Sequence, residues 1–499
     1  MRCLILVVAL ASACSQHNPD ACCRTQDQCT QFGLDGITAC DTGKVCNDSG
    51  ACVASECTTS ADCTDPSLPI CENNLCVAKC TTDDECSTDA PHCSTSDGAC
   101  VACLMDSDCD ASVPVCDMTT HACRGCVADS ECSSGACLAA TNGACADSGN
   151  ILWVTALGSD TGDCPKTAAC KTITYAVSRV LTFRNVIHVD GVGVSTGPST
   201  ITLGGPLYID GGSNATLTRP AMTVFNLSNQ ADLTLDGITV EQGQGEVVVM
   251  SAGTLRLRKS NLSLSKSASV GGTLNTVDMS GGALIVDSTT FDSASTGGPT
   301  AIGCSAGSVA VKNSIFRAFA LAISHCDLTF QQSTMQINGG GNLAANNGKI
   351  LIENSVFTSS SAVADAVFVN TAASGSQVRF NTWADTSTGT LSGAGLTCDA
   401  SIDVSSNIFI WGPQALAETC TARYSIFDDA TSEPPAAHNS IATGASLFVD
   451  FANSDFHLSA TSPARGAADP AESIAVDRDG TQRPNPAGTT ADIGAYEAP

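Results

Sequence analysis

Residues 307–316 read GSVAVKNSIF. Val309 and Val311 are apolar and separated by one residue, a polar pair follows, and Phe316 closes the phrase. Alternation with period two marks a strand with one face turned inward. The pair Asn313-Ser314 breaks that alternation, and the Ser314 hydroxyl suits a bend, where it can bond backbone that no strand partner reaches. The stretch predicts strand, corner, strand.

The phrase recurs as GTLRLRKSNL (253–262), GALIVDSTTF (282–291), CDLTFQQSTM (326–335), GKILIENSVF (348–357) and ASIDVSSNIF (400–409). Ser260, Thr289, Ser333, Ser355 and Asn407 take the corner position of Ser314. The closing apolar residue falls at Val240, Leu262, Phe291, Phe316, Met335, Phe357, Trp383, Phe409 and Phe427, a mean step of about 23 residues. A strand-rich period of that length, with no helix between, predicts one coil of a parallel β-helix. An antiparallel sandwich turns every 8–12 residues or so and keeps no such register.

Two cysteine pairs repeat nearly the same interval. Cys304 and Cys326 stand 22 residues apart, as do Cys398 and Cys420. Equivalent positions on adjacent coils lie about 4.8 Å apart, within the ~4.4–6.8 Å Cα separation of a disulfide. Each pair is expected to staple neighbouring coils; free buried thiols are the alternative.

The chain of 499 residues has room for more than one domain. Its 22 Lys+Arg against 50 Asp+Glu give a net charge of −28. Such a surface repels phosphate backbones, so nucleic acid is excluded as a partner. Thirty cysteines point to an oxidising compartment. The start, MRCLILVVALASAC, has a positive residue, a short apolar run and small residues before Cys14. Ala11-Ser12-Ala13-Cys14 resembles a bacterial lipobox, with Ala11 a departure from the commoner Leu. That resemblance implies a signal peptide over 1–14, lipidation of Cys14 and outer-membrane anchoring, since Ser15 stands where an inner-membrane retention signal would carry Asp. An ordinary secretory signal is the alternative. The apolar run is too short to span a bilayer as a retained helix.

Residues 15–149 form a cysteine-rich segment. Four units start at Cys57, Cys80, Cys103 and Cys126, each with four cysteines and five residues in the first gap. Cys23 to Cys29 opens a divergent fifth. Residues 14–150 contain one aromatic, Phe32, so crosslinks rather than a hydrophobic core must hold the units. Four cysteines allow three connectivities, and spacing does not choose among them. Zinc is disfavoured because the C-x2-C gaps fall between units. Asp106-Ser-Asp108-Cys-Asp110 alternates like a calcium loop, but Ala111 replaces the glycine such a loop needs, so a solvated turn is expected. The units resemble the Dickkopf-type cysteine-rich repeats of myxobacterial surface lipoproteins. With 21 acidic and 4 basic residues over 14–150, the segment is expected to act as an acidic stalk.

A solenoid needs closed ends. Ile173, Ala176, Val177, Val180 and Leu181 share one helical face, predicting a capping helix over 172–181. Residues 151–177 resemble the opening segment of right-handed β-helices of the pectin-lyase-like class, with Cys164 and Cys170 closing a loop. Residues 455–497 resemble the C-terminal module called choice-of-anchor Q, on Asp477, Gly480, Arg483, Pro484, Asp492, Ile493, Gly494, Tyr496 and Glu497. Asp477-Arg-Asp479-Gly480 reads as a plain turn, with calcium the alternative. The expected layout is all-β: a right-handed parallel β-helix over 150–440 and a C-terminal cap over 441–499.

Parallel β-helices often cut acidic polysaccharides. The catalytic phrases of pectate lyases and polygalacturonases are absent here. His188, His325, His438 and His457 have no acidic or serine neighbour at a catalytic motif spacing. Asp428-Asp429 reads as structural, and Arg256, Arg258 and Lys259 as a solvated basic face. No catalytic or metal-ligating residue and no cofactor is expected, calcium in a structural role excepted. The function expected is that of a non-enzymatic, lipid-anchored surface protein. Its partners would be outer-membrane lipid and an extracellular polysaccharide or cell-surface protein. A calcium-dependent polysaccharide lyase or a glycoside hydrolase is the alternative.

Overall fold

The computed structural model describes residues 79–498, apart from 140–141, 213, 220–222, 243–245, 265–274, 294–298, 338–341, 360–365, 387–392, 400, 413, 418 and 429–437. Before residue 79 it describes 44–46, 52–54, 57, 59, 62–64, 70–72 and 75–77. Cys14, its lipobox, the Cys23–Cys29 unit and Asp429 lie outside the described residues.

The chain divides into two compact units, 1–125 and 126–499. In the first, the cysteine repeats pair first with third and second with fourth: Cys57–Cys71 and Cys63–Cys76, Cys80–Cys93 and Cys86–Cys100, Cys103–Cys116 and Cys109–Cys123. Each bridge closes a small loop and restricts the unfolded chain where no core exists to do so. The acidic residues ahead of the second cysteine cap the unit. Asp83 accepts the Cys93 N–H (2.7 Å) and Asp106 the Cys116 N–H (2.9 Å). Asp108 takes the Leu104 N–H at 2.8 Å, so the acidic alternation builds a turn.

The second unit is a parallel β-helix. Three parallel sheets of twelve, twelve and nine strands run through it, here called A, B and C. A coil takes one strand from each. Residues 307–331 show the path: Gly307–Lys312 in A, Ile315–Arg317 in B, Ala320–Ser324 in C, then Cys326–Gln331 back in A. Every second residue of sheet A points inward, as Val309 and Val311 do, and all line one continuous core. The nine closing residues from Val240 to Phe427 form a single ladder in sheet B. Within it Phe357, Trp383, Phe409 and Phe427 stack at successive centroid distances of 4.9, 4.6 and 5.2 Å.

The corner from A to B explains the polar position. Asn313, Gln332, Asn354, Phe380, Ser406 and Tyr424 all have positive φ, between 46° and 56°. That left-handed conformation turns the chain sharply and carries a steric cost for an L-residue. It also removes the next N–H from its strand partner. The following residue of the next coil supplies an acceptor: Ser314 N–H donates to Ser333 Oγ (3.1 Å), Ser333 to Ser355 Oγ (3.3 Å), Ser355 to Asn381 Oδ1 (2.9 Å), and Asn381 to Asn407 Oδ1 (2.8 Å). All five side chains are fully buried.

Three details depart from the sequence reading. The helix at the start covers only Ile173–Val177, capped by the Thr172 hydroxyl; Val180 and Leu181 lie beyond it, and Leu181 is exposed. Cys304 bonds Cys326 and Cys398 bonds Cys420, but the residues are not equivalent positions. The register partner of Cys304 is Ile323 and that of Cys326 is Gly307, so the bridge crosses the C-to-A corner, one short coil plus three residues on. Arg256 and Arg258 are not part of a solvated face, whereas Lys259 is exposed. Arg256 pairs with Asp232, and Arg258 is largely covered in its pair with Asp236.

Residues 441–498 fold back over the outside of sheet B. Leu447, Phe448, Phe456, Ile493 and Tyr496 bury against Phe380, Ile408 and Ile426. Arg483 is enclosed between Glu497 (3.3 Å) and the Phe380 ring (4.8 Å) and donates to the Asp492 and Gly494 carbonyls. Asp477 accepts the N–H groups of Asp479, Thr481 and Glu497, which commits its carboxylate to a turn.

Asn381→Ala tests the corner ladder. It removes the acceptor for Ser355 N–H and the donors to the Ile352 and Arg379 carbonyls (both 2.9 Å). Orphaning buried backbone groups costs about 1–3 kcal/mol each. The urea midpoint is expected to fall well below that of the native chain, with faster amide exchange at Ser355. A midpoint unchanged within error would refute the role given to the corner.

Candidate functional site

Register decides which side chains meet on the outer face of sheet A. The ends of its strands stack as Trp153, His188, Asp210, Asp236, Arg258, Asp287, Lys312, Gln331, Glu353, Arg379, Ser405 and Arg423. Opposite charges pair between coils: Arg258 with Asp236 at 2.8 Å and Arg379 with Glu353 at 3.0 Å. At the far end Arg423 meets Asp403, Asp469 (2.7 Å) and Glu472 (2.8 Å).

The near end is covered by the fourth cysteine repeat, held by Cys126–Cys137 and Cys132–Cys145. Ala136 and Ala146 pack on Ile151, Trp153, Val186 and Tyr208, the outward residues of the first three strands. The repeat belongs to the same compact unit as the β-helix. It does not seal the face. A cleft of about 620 Å3 remains between it and the ladder, with His188, Asp210 and Asp236 on the sheet side and Asp129 on the repeat side. Lys166, Lys259, Arg258 and Asp190 also line it.

Each group is tightly positioned. His188 Nδ1 lies 2.8 Å from Asp210 Oδ2, and its ring packs on Trp153 with centroids 4.4 Å apart. The Cys164–Cys170 disulfide closes the loop that carries Lys166, whose Nζ sits 4.5 Å from the centre of the other ring, Trp153. Asp236 accepts the Tyr208 hydroxyl at 2.7 Å as well as Arg258. Lys259 donates to the Val127 carbonyl of the repeat at 3.3 Å. Asp129 accepts the Cys137 N–H at 2.9 Å, the same capping bond that Asp83 and Asp106 make in their repeats.

Electrostatically the sheet side is unusual. Burial pushes the Asp210 carboxyl up to about 6; the hydrogen bond from His188 opposes that rise and the charge of Asp129 adds to it. Desolvation penalises the charged form, and a second carboxylate nearby adds repulsion. Asp236 faces the same cleft with a guanidinium against it, so two aspartates one coil apart sit in different environments.

Of the residues singled out in the sequence, Cys164 and Cys170 close the loop that carries Lys166 to this cleft without lining it themselves, whereas Cys304–Cys326 and Cys398–Cys420 lie at the C-to-A corner farther along the solenoid. Asp428 is half-buried and outside the cleft lining. No local motif marks His188, because its partner is 22 residues away. The signal was present: that interval is one coil, and it applies to titratable residues as it does to cysteines. His457, also set aside, bonds Asp455 (2.6 Å) and Asp479 (2.8 Å) on the C-terminal segment. No family model and no curated protein sequence matches this chain.

The Asp210 contact fixes the tautomer of His188. At pH 8 the carboxylate is ionised and accepts, which puts the ring proton on Nδ1 and the lone pair on Nε2. Long-range 15N–1H correlation spectra of His-labelled protein are expected to show that tautomer. An Nε2–H ring at that pH would contradict the arrangement.

Proposed function

We propose that this chain is an exported surface protein, anchored through an acylated Cys14, that binds a hydroxyl-rich glycan in the cleft between the fourth cysteine repeat and sheet A. The observation that carries the reading is the cleft itself. Its volume of about 620 Å3 falls within the roughly 300–1,000 Å3 of small-ligand sites. Carboxylates, an imidazole and two lysines converge on it, the donor and acceptor set that sugar hydroxyls and carboxylates require. The disulfide-held repeats and the resemblance to myxobacterial surface lipoproteins support display outside the cell. The likeness of residues 455–497 to the choice-of-anchor Q module supports the same placement.

Cleavage of the bound polymer is the second reading. It is favoured by Asp129 and Asp210, which bring carboxylate oxygens within 4.8 Å of each other on opposite walls. Paired carboxylates are the machinery of glycoside hydrolysis.

One experiment separates the two. Purified protein is titrated calorimetrically with a panel of neutral and uronate-rich oligosaccharides, and the mixtures are assayed for reducing and unsaturated ends. Saturable binding without new ends is expected, and the double variant K166A/K259A is expected to bind about tenfold more weakly. Tenfold corresponds to ~1.4 kcal/mol, the size of one charge-assisted hydrogen bond. Turnover would establish the second reading, and absence of any binding would refute both. Protease treatment of intact cells tests display: a fully protected protein would refute the surface placement.

A further inference from the structure

Trp153, His188 and Asp210 are register partners on three successive strands of sheet A, so the imidazole is fixed from both neighbouring coils. Trp153 packs against it with ring centroids 4.4 Å apart, and Nδ1 donates to Asp210 Oδ2 at 2.8 Å. The second ring nitrogen is left free. His188 is only 6 % exposed, yet among the described residues nothing bonds Nε2. Gly212 lines the cleft and lies beside that atom, where a Cβ would stand 3.2 Å from Nε2. A side chain there would crowd the nitrogen and close its approach. Gly212 has no positive φ, so its missing side chain serves space and not backbone conformation.

We infer that His188 is a general base, positioned by Asp210, and that this dyad hydrolyses acyl esters. With Nδ1 protonated and bound, Nε2 carries the lone pair. It takes a proton from a water molecule, whose oxygen forms a bond to the ester carbonyl carbon while the carbonyl electron pair moves onto its oxygen. The Asp210 carboxylate stabilises the imidazolium formed midway. When the tetrahedral adduct collapses, the bond from carbon to the alcohol oxygen breaks, and Nε2–H gives its proton to that oxygen. One water is consumed, a carboxylic acid and an alcohol leave, and the dyad is restored.

The number of proton carriers selects the ester. Acyl transfer needs one, because the group that accepts a proton during attack returns it during collapse. Glycosidic hydrolysis divides the work between two carboxylates, and Asp210 is already engaged by the imidazole. Lys166 packs its ammonium on the same Trp153 ring, 4.5 Å from the centre, and brings positive charge to the neighbourhood of a developing oxyanion. That a sugar carries the acyl group rests on the glycan reading above; the dyad rests only on its own geometry. Loss of an acyl group creates neither a reducing nor an unsaturated end, so the activity is distinct from cleavage of the polymer.

The test incubates the full, oxidised chain at pH 8 with p-nitrophenyl acetate and with O-acetylated oligosaccharides, and follows the release of p-nitrophenolate and acetate over many turnovers. Saturable turnover is expected. H188Q is expected to lose about a hundredfold or more, the scale of general-base catalysis. G212A keeps the His188–Asp210 pair and is expected to lower kcat/KM about tenfold or more by crowding Nε2. D210N is expected to lower kcat about tenfold or more with KM little changed, and D210E to recover part of it, a split that a merely structural role would not give. Near-ultraviolet circular dichroism checks that each variant folds as the parent does. Diethyl pyrocarbonate is expected to modify His188 in the parent and to do so more slowly in G212A, as mapped by mass spectrometry. Turnover of neither ester, or turnover equal to the parent's in folded H188Q and G212A, would overturn the dyad. Calorimetry with the non-acetylated oligosaccharides separates the two claims. Ester turnover without oligosaccharide binding would uphold the dyad and overturn the sugar as its substrate; oligosaccharide binding without ester turnover would uphold the glycan reading and overturn the dyad.

Discussion

At successive corners between sheets A and B, from Asn313 to Ser406, a residue with positive φ turns the chain, and the next residue buries a hydroxyl or amide against the N–H of the preceding coil. The N–H groups freed by the turn cannot reach water, because the core closes over them. Ser, Thr or Asn at one position per coil is therefore an energetic requirement, at about 1–3 kcal/mol for each group left unpaired. A one-residue slip would orphan every such N–H and turn each inward Val, Leu or Phe outward. Register along the solenoid is specified by this ladder as much as by the apolar stack beside it.

In-register stacking then dictates the surface. Residues one coil apart in sequence become neighbours a strand's width apart, so the outer face of sheet A carries a column of charges that pair coil to coil, as Asp236 does with Arg258 and Glu353 with Arg379. At the first coils the sequence of that column changes from alternating charge to His188, Asp210 and Asp236. There a disulfide-held repeat supplies the covering layer and one further carboxylate. A crosslinked unit without a core of its own gains an apolar support, and the β-helix gains a cleft wall with fixed geometry.

Much of this was legible in the sequence. The nine closing apolar residues form one ladder because a side chain that must face the core every coil leaves a period that no loop variation erases. The corner Ser, Thr and Asn residues stand out for the same reason. Less visible was where the fourth repeat packs: its spacing matches the other repeats, and only Trp153 and Tyr208, outward residues too large to leave wet, hint at a cover. No local motif reveals the pairing of His188 with Asp210, because a solenoid builds its sites across coils. The capping helix fell short of the expected span since Val180 and Leu181 continue a helical period that the chain does not follow. Local sequence likewise leaves Arg258 without a partner, because Asp236 is one coil away.

Peptide mapping of the unreduced, thiol-blocked protein by mass spectrometry tests the stacking most directly. Adjacent coils in the described register bring Cys304 to Cys326 and Cys398 to Cys420, with Cα separations of 6.3 and 5.2 Å. The account predicts peptides joining those two pairs and no others among the four residues. A peptide linking Cys304 to Cys398, or Cys326 to Cys420, would place distant coils in contact and contradict it.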